Sequence, residues 1–200
     1  MYFFDCDKTI YQYDFRKRLP ALSRISGVSQ YGLASSWWAG GYETRAEAGE
    51  WPTPEEYLDA FADVTGARLS LDQWAVARKA AMTPIAGSLA AMATATELGV
   101  ASLLSNNPSP FQASFAELAP EAADILGENV LVSAGLGARK PSADLYERAL
   151  AHYDVAAESA FFADDSLANV EGARAVGITA YHFTGDTDGL MAAVLEFSRR

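Results

Sequence analysis

Tyr2-Phe3-Phe4-Asp5-Cys6-Asp7-Lys8-Thr9-Ile10-Tyr11 opens as a short aromatic strand and stops at two carboxylates, Asp5 and Asp7. Carboxylates held this close repel, and one stays protonated unless a cation holds both. A chain does not need that arrangement to fold. The stretch therefore points to a metal site, a covalent nucleophile, or both.

The same punctuation recurs along the chain. Val100–Leu104 ends at Ser105-Asn106-Asn107, Val130–Val132 at Ser133, and Ala160–Ala163 at Asp164-Asp165; Thr179–Phe183 is a fifth run. Short β-branched or aromatic runs bounded by polar clusters read as buried parallel strands. Helical stretches lie between them. Gly87–Leu98 carries Leu89, Met92 and Ala93 and stops at Gly99. Pro141 is expected to open a helix carrying Leu145, Ala149 and Leu150. Leu167–Val176 stops at Gly177, and Asp186 caps a last helix with Leu190, Val194 and Phe197 on its apolar stripe. Alternating strand and helix gives an α/β fold with a doubly wound parallel sheet, Rossmann-like. Ligands bind such sheets at the carboxyl ends of the strands, where Asp5, Ser105 and Asp164-Asp165 all fall.

Residues 14–83 break the alternation. They are rich in Trp and Ala, with capping boxes at Thr53-Pro54-Glu55-Glu56 and Ser70-Leu71-Asp72-Gln73, and Gly66 ending the helix between them. The expected organisation is a core of residues 1–13 and 84–200 with a small all-helical insert, 14–83, after the first strand.

Two hundred residues suffice for one large domain, or a core plus a small insert. Half are hydrophobic and 20% charged, as in ordinary globular chains. A net charge of −11 argues against a nucleic-acid polymer or an anionic membrane as the main partner. It leaves room for a small anionic substrate where a cation and basic residues gather locally. Cys6 is the single cysteine, so no internal disulfide forms. No apolar run approaches the ~18 residues of a membrane span, and no signal peptide is visible, so the expected location is the cytoplasm.

Four separated elements carry the chemistry: Asp5-Cys6-Asp7-Lys8-Thr9, Ser105, Arg139-Lys140-Pro141, and Asp164-Asp165-Ser166 with Asn169 beyond it. In that order, each at a strand end or helix start, they resemble the haloacid dehalogenase superfamily of hydrolases, mostly phosphatases. The resemblance spans nearly the whole chain and includes a helical cap (type 1) after the first motif. It implies a Mg²⁺-dependent phosphomonoesterase acting on a small phosphorylated metabolite, a sugar phosphate or nucleoside monophosphate, through an aspartyl-phosphate. Asp5 resembles the nucleophile and Asp7 the general acid/base, and the two share one strand face if the strand stays extended that far. Thr9 helps hold the turn after the strand in that pattern and is counted with Asn106 as substrate-binding. Ser105, helped by Asn106, meets a phosphoryl oxygen, and Lys140 supplies fixed positive charge. Asp165 ligates the metal with Asp5 and the main-chain carbonyl of Asp7; Asp164 is either a further ligand or a partner of one. Oxygen-only ligands beside a phosphate favour Mg²⁺. Asp7 favours a phosphate ester over a halide, because a halide leaving group needs no proton. Relatives usually carry Gly or Asn where this chain has Lys8.

Other readings stay open at this point. The scaffold also suits a phosphosugar mutase or a non-catalytic ligand-binding or regulatory protein. Cys6 reads as a buried core thiol, and His152 and His182 as structural. Packing is the expected role of most of Trp37, Trp38, Tyr42 and Trp51, with pocket lining as the alternative. Arg16, Lys17 and Arg18 read equally as a solvated hinge or as an attractor for an anion.

Overall fold

A computed structural model describes residues 1–200. Its main sheet has five parallel strands in the order β5-β4-β1-β6-β7: β1 is Tyr2–Phe4, β4 Ala101–Ser105, β5 Val130–Val132, β6 Phe161–Asp164 and β7 Thr179–His182. The chain builds outward from β1 to one side, then returns to build the other. The switch falls between β1 and its neighbours β4 and β6, so the carboxyl ends of these three strands lie side by side.

Both faces of the sheet are covered, which is why its central strands are largely apolar. Tyr2, Phe4, Ala101, Leu103, Phe161 and Ala163 face the larger core, with Ala91, Met92 and Ala95 of helix Ala86–Leu98 and Leu190 and Val194 of helix Thr187–Phe197. Phe3, Leu104 and Phe162 alternate to the other face, against Leu145, Tyr146, Ala149 and Leu150 of helix Ala143–His152. Asp186 caps the last helix by accepting from the Gly189 N–H.

Residues 15–79 are helical segments packed on one another. Asp14 caps Phe15–Ser26; the two capping boxes form as read, on Pro54–Thr65 and Leu71–Lys79. Trp37 sits at their centre with Tyr42, Trp51, Tyr57 and Phe61 around its ring, so packing accounts for these aromatics. The ends of this segment are stitched by a second, two-stranded antiparallel sheet, β2 (Tyr11–Tyr13) with β3 (Met82–Pro84). Three residues per strand leave too little alternation for a sequence pattern to reveal.

Two local expectations need correction. Strand β1 ends at Phe4, before Asp5, so Asp5 and Asp7 do not share one extended strand face. Instead the Cys6 carbonyl accepts from the N–H groups of Thr9, Ile10 and Tyr11 at 3.3, 2.9 and 2.9 Å and closes a tight loop. Pro141 does not open a helix either. The helix starts at Ala143 behind Ser142, because the backbone of Lys140 is engaged elsewhere: its N–H donates to Asn106 Oδ1 and its carbonyl accepts from Asn106 Nδ2.

Candidate active site

Asp5 lies just past the end of β1, anchored by its N–H on the Ala163 carbonyl of β6. Its carboxylate is buried, and Oδ1 accepts from Ser105 Oγ at 3.0 Å and Lys140 Nζ at 2.6 Å. Lys140 also donates to Asp164 Oδ2 at 2.7 Å and to the Leu104 carbonyl at 2.9 Å. Residues 135 positions apart are thus joined by one ammonium. Asp164 is further held by the Ser166 N–H and by Asn169 Nδ2, and the Asp165 carbonyl lies 3.0 Å from His182 Nε2. The carboxylates of Asp5, Asp164 and Asp165 approach with one oxygen each inside 4.8 Å, an arrangement able to surround a cation with oxygen atoms.

The electrostatics follow from a shortage of positive charge. Burial favours the neutral form of Asp5 most; Lys140 opposes this, and Asp164 and Asp7 reinforce it, so the carboxyl is pushed up to about 7. Burial works against charge on Lys140 too, but the Asp5 and Asp164 carboxylates outweigh it and hold the ammonium firmly protonated. The directions agree: one ammonium serves two buried carboxylates and leaves one uncompensated. Burial and Asp164 also raise Asp165.

Asp5, Asp7, Lys8, Ser105, Asn106, Lys140 and Asp165 line one cavity of about 230 Å³ at the strand ends. All seven were singled out in the sequence, and Asp164 is buried directly behind them. Thr9 does not join them. It is fully buried in the loop and absent from the cavity wall, so it is placed to support the turn and not to touch a ligand. The Asp7 carboxylate lies outside the acidic triad and is gripped through both oxygens by Arg78 Nη2 at 2.6 Å. Lys8 has φ 63°, the left-handed region natural to Gly and Asn and costing other residues about 1 kcal/mol. That is why a Lys here is unusual, and its side chain lines the cavity.

Arg78 is not legible in the sequence as a site residue, whereas Arg18 stands among the candidates for attracting an anion. Arg78 stands on the helix Leu71–Lys79, four residues after the buried Trp74, and that spacing is the one signal that it faces inward. Arg18 is no solvated hinge: it is 4% exposed, bonded to the Tyr13 hydroxyl and Glu43. Both line a second cavity of about 260 Å³, which shares Asp7, Tyr13 and Asn106 with the first. Trp38 and Phe15 line it too, the one part of the aromatic insert that does face a pocket.

Glu47 on this second cavity pairs with Arg139 at 2.7 Å, yet burial, with Glu43 adding to it, pushes its carboxyl up to about 7 against the pull of Arg139. The folded state then binds this proton more tightly than the unfolded chain. Stability falls as pH rises from the ordinary glutamate value to about 7, and is level above. Glu47→Gln lacks that loss, so its Tm relative to wild type should rise between about pH 5 and about pH 8. A difference that is flat or falling in thermal melts would show that the Arg139 pair governs instead.

A model of haloacid dehalogenase-like hydrolases matches residues 1–177. The chain belongs to this family of hydrolases. Among solved structures, a haloacid dehalogenase (HAD) family enzyme from Bacteroides thetaiotaomicron superposes with a TM-score of 0.75 at 20% identity, over 92% of this chain and 93% of that one. That enzyme has also been crystallised with magnesium and inorganic phosphate, with a TM-score of 0.72 at 19% identity over 92% and 94%. A HAD phosphatase from Thermococcus onnurineus superposes with a TM-score of 0.62 at 20% identity over 92% and 87%. At these identities the likeness speaks for the fold. A sesquiterpene phosphatase of Aspergillus oryzae is 41% identical over 59 residues, and the match covers 30% of each protein. No helix of this hydrolase is long and apolar enough to cross a membrane.

Proposed function

We propose that this hydrolase is a Mg²⁺-dependent phosphomonoesterase of small phosphorylated metabolites. The observation that carries the reading is the convergence of Asp5, Asp164 and Asp165 with Lys140 and Ser105 at one cavity. The phosphatases named above, and the Bacteroides enzyme bound to magnesium and phosphate, support it.

Residues 14–83 serve as the cap over the core in this reading. An all-oxygen donor set suits Mg²⁺, with Asp5, Asp164, Asp165 and the Asp7 main-chain carbonyl as its holders. When bound, the ion supplies positive charge that neutralises the transferring phosphoryl oxygens. Asp5 attacks phosphorus while the ester P–O bond breaks, and the leaving alkoxide takes its proton from the Asp7 carboxyl. The product on the enzyme is an aspartyl-phosphate. Asp7, now a carboxylate, takes a proton from a water that attacks the same phosphorus. Inorganic phosphate leaves and Asp5 is regenerated. Ser105 Oγ and Asn106 meet phosphoryl oxygens, and Lys140 holds Asp5 in place and stabilises the charge that passes through it. Arg78 orients the Asp7 carboxylate toward the cavity.

The direct test offers a chromogenic phosphate monoester with Mg²⁺ and again with a chelator. Turnover that disappears with the chelator and returns on adding Mg²⁺ is expected. Undiminished turnover in the chelator would remove the metal from the scheme, and no turnover of any phosphate ester would favour a binding protein on this scaffold.

A further inference from the structure

The second cavity is built around arginines. Arg18 and Arg78 are 4% and 1% exposed, and four of their guanidinium nitrogens, Arg18 Nε and Nη2 and Arg78 Nε and Nη1, are buried without a hydrogen-bond partner. Buried donors are nearly always satisfied, and charged ones left unmet are the most costly. Two of them side by side on a single cavity indicate an acceptor that the protein does not itself supply. The flat faces of both groups are already used: Arg18 lies over Trp38 and Trp74, and Arg78 over Tyr13 and Phe111. Stacking fixes both groups in position: Arg18 keeps the Nε–Nη2 edge of its fork for a planar oxygen pair, while Arg78, with Nη2 on Asp7, keeps Nε and Nη1 as single donors.

We propose that this cavity receives a carboxylate carried on the leaving group of the phosphate ester, bound by Arg18 and Arg78. The inference rests on the phosphomonoesterase reading and adds a substrate class to it: small phosphorylated acids. The shared wall of Asp7, Tyr13 and Asn106 puts this cavity beside the one that takes the phosphoryl group. Its charge suits a single negative charge. Arg18, Arg78 and Arg139 face Glu43, Glu47 and Asp7, and burial pushes the Glu47 carboxyl up toward its neutral form, which tips the balance to the positive side. A long apolar chain is a poor fit, since Tyr13, Phe15 and Trp38 are the only apolar or aromatic side chains in the wall.

The test is calorimetric titration, with Mg²⁺ present, of phosphonoalkanoates of increasing spacer length, each against the alkylphosphonate of the same length. These probes cannot be hydrolysed, so binding is read apart from turnover. At least one phosphonoalkanoate should bind about tenfold more tightly than its partner. Arg18→Gln should bring that ratio close to one, and Arg18→Lys, which keeps the charge but loses the fork, should recover only part of it. If no phosphonoalkanoate outbinds its partner in wild type, the proposal is overturned whatever the variants do. Preferential binding together with no hydrolysis of the matching phosphate esters would keep this subsite and remove the phosphatase reading. Hydrolysis without the preference would do the reverse.

Discussion

Asp5→Asn should lose on the order of 10³-fold or more in kcat on any phosphate monoester the wild type hydrolyses. The amide is nearly the size of the carboxylate but cannot carry the phosphoryl group. Stability should move the other way. Burial keeps the Asp5 carboxyl up at about 7, so ionising it near neutral pH works against folding. The amide removes that penalty, while Lys140 keeps Asp164 as its partner. Thermal melts without divalent ions should show Asp5→Asn at least as stable as wild type at about pH 8. An inactive but equally folded variant separates chemistry from architecture. Full activity would mean that the nucleophile lies elsewhere.

Lys140→Met should be the most damaging single substitution in the core. It keeps most of the side-chain length and removes the ammonium that bridges Asp5, Asp164 and the Leu104 carbonyl. Two buried carboxylates then face each other uncompensated, and breaking a buried pair in this way costs about 3–5 kcal/mol. Turnover should fall with it, because the positive charge next to the transferring group is gone. The account also predicts a partial rescue. A divalent ion held by the same carboxylates replaces part of the missing charge, so Mg²⁺ should raise the Tm of Lys140→Met by more than it raises that of wild type. A variant as stable as wild type without Mg²⁺, or one indifferent to Mg²⁺, would contradict the charge-balance argument.

Much of this site is visible in the linear chain because each piece is marked by a change of residue type. Apolar runs end abruptly at Asp5, Ser105 and Asp164, and a parallel sheet with its switch at β1 brings those ends together. Residues whose roles come from packing between distant elements left no such mark. Arg18 and Arg78 sit on helices where an arginine ordinarily faces water, and their inward placement depends on Glu43, Tyr13 and Asp7 arriving from elsewhere. A strand extended as far as Asp7 would put both carboxylates on one face; three amide donors converging on the Cys6 carbonyl turn the chain instead. Pro141 looked like a helix start, but the clasp between Asn106 and the Lys140 backbone holds the chain out of helix until Ser142. The β2–β3 ladder joins residues some seventy positions apart, and its pairing depends on the whole helical segment returning to its origin.

The measurement that bears most directly on the mechanism is mass analysis of acid-quenched protein taken during turnover. Acid preserves an acyl-phosphate long enough for digestion and peptide mapping. One phosphoryl group should appear on the peptide containing Asp5, and it should be absent from Asp5→Asn. Phosphoryl on any other residue, or on none while phosphate is being released, would contradict attack by Asp5.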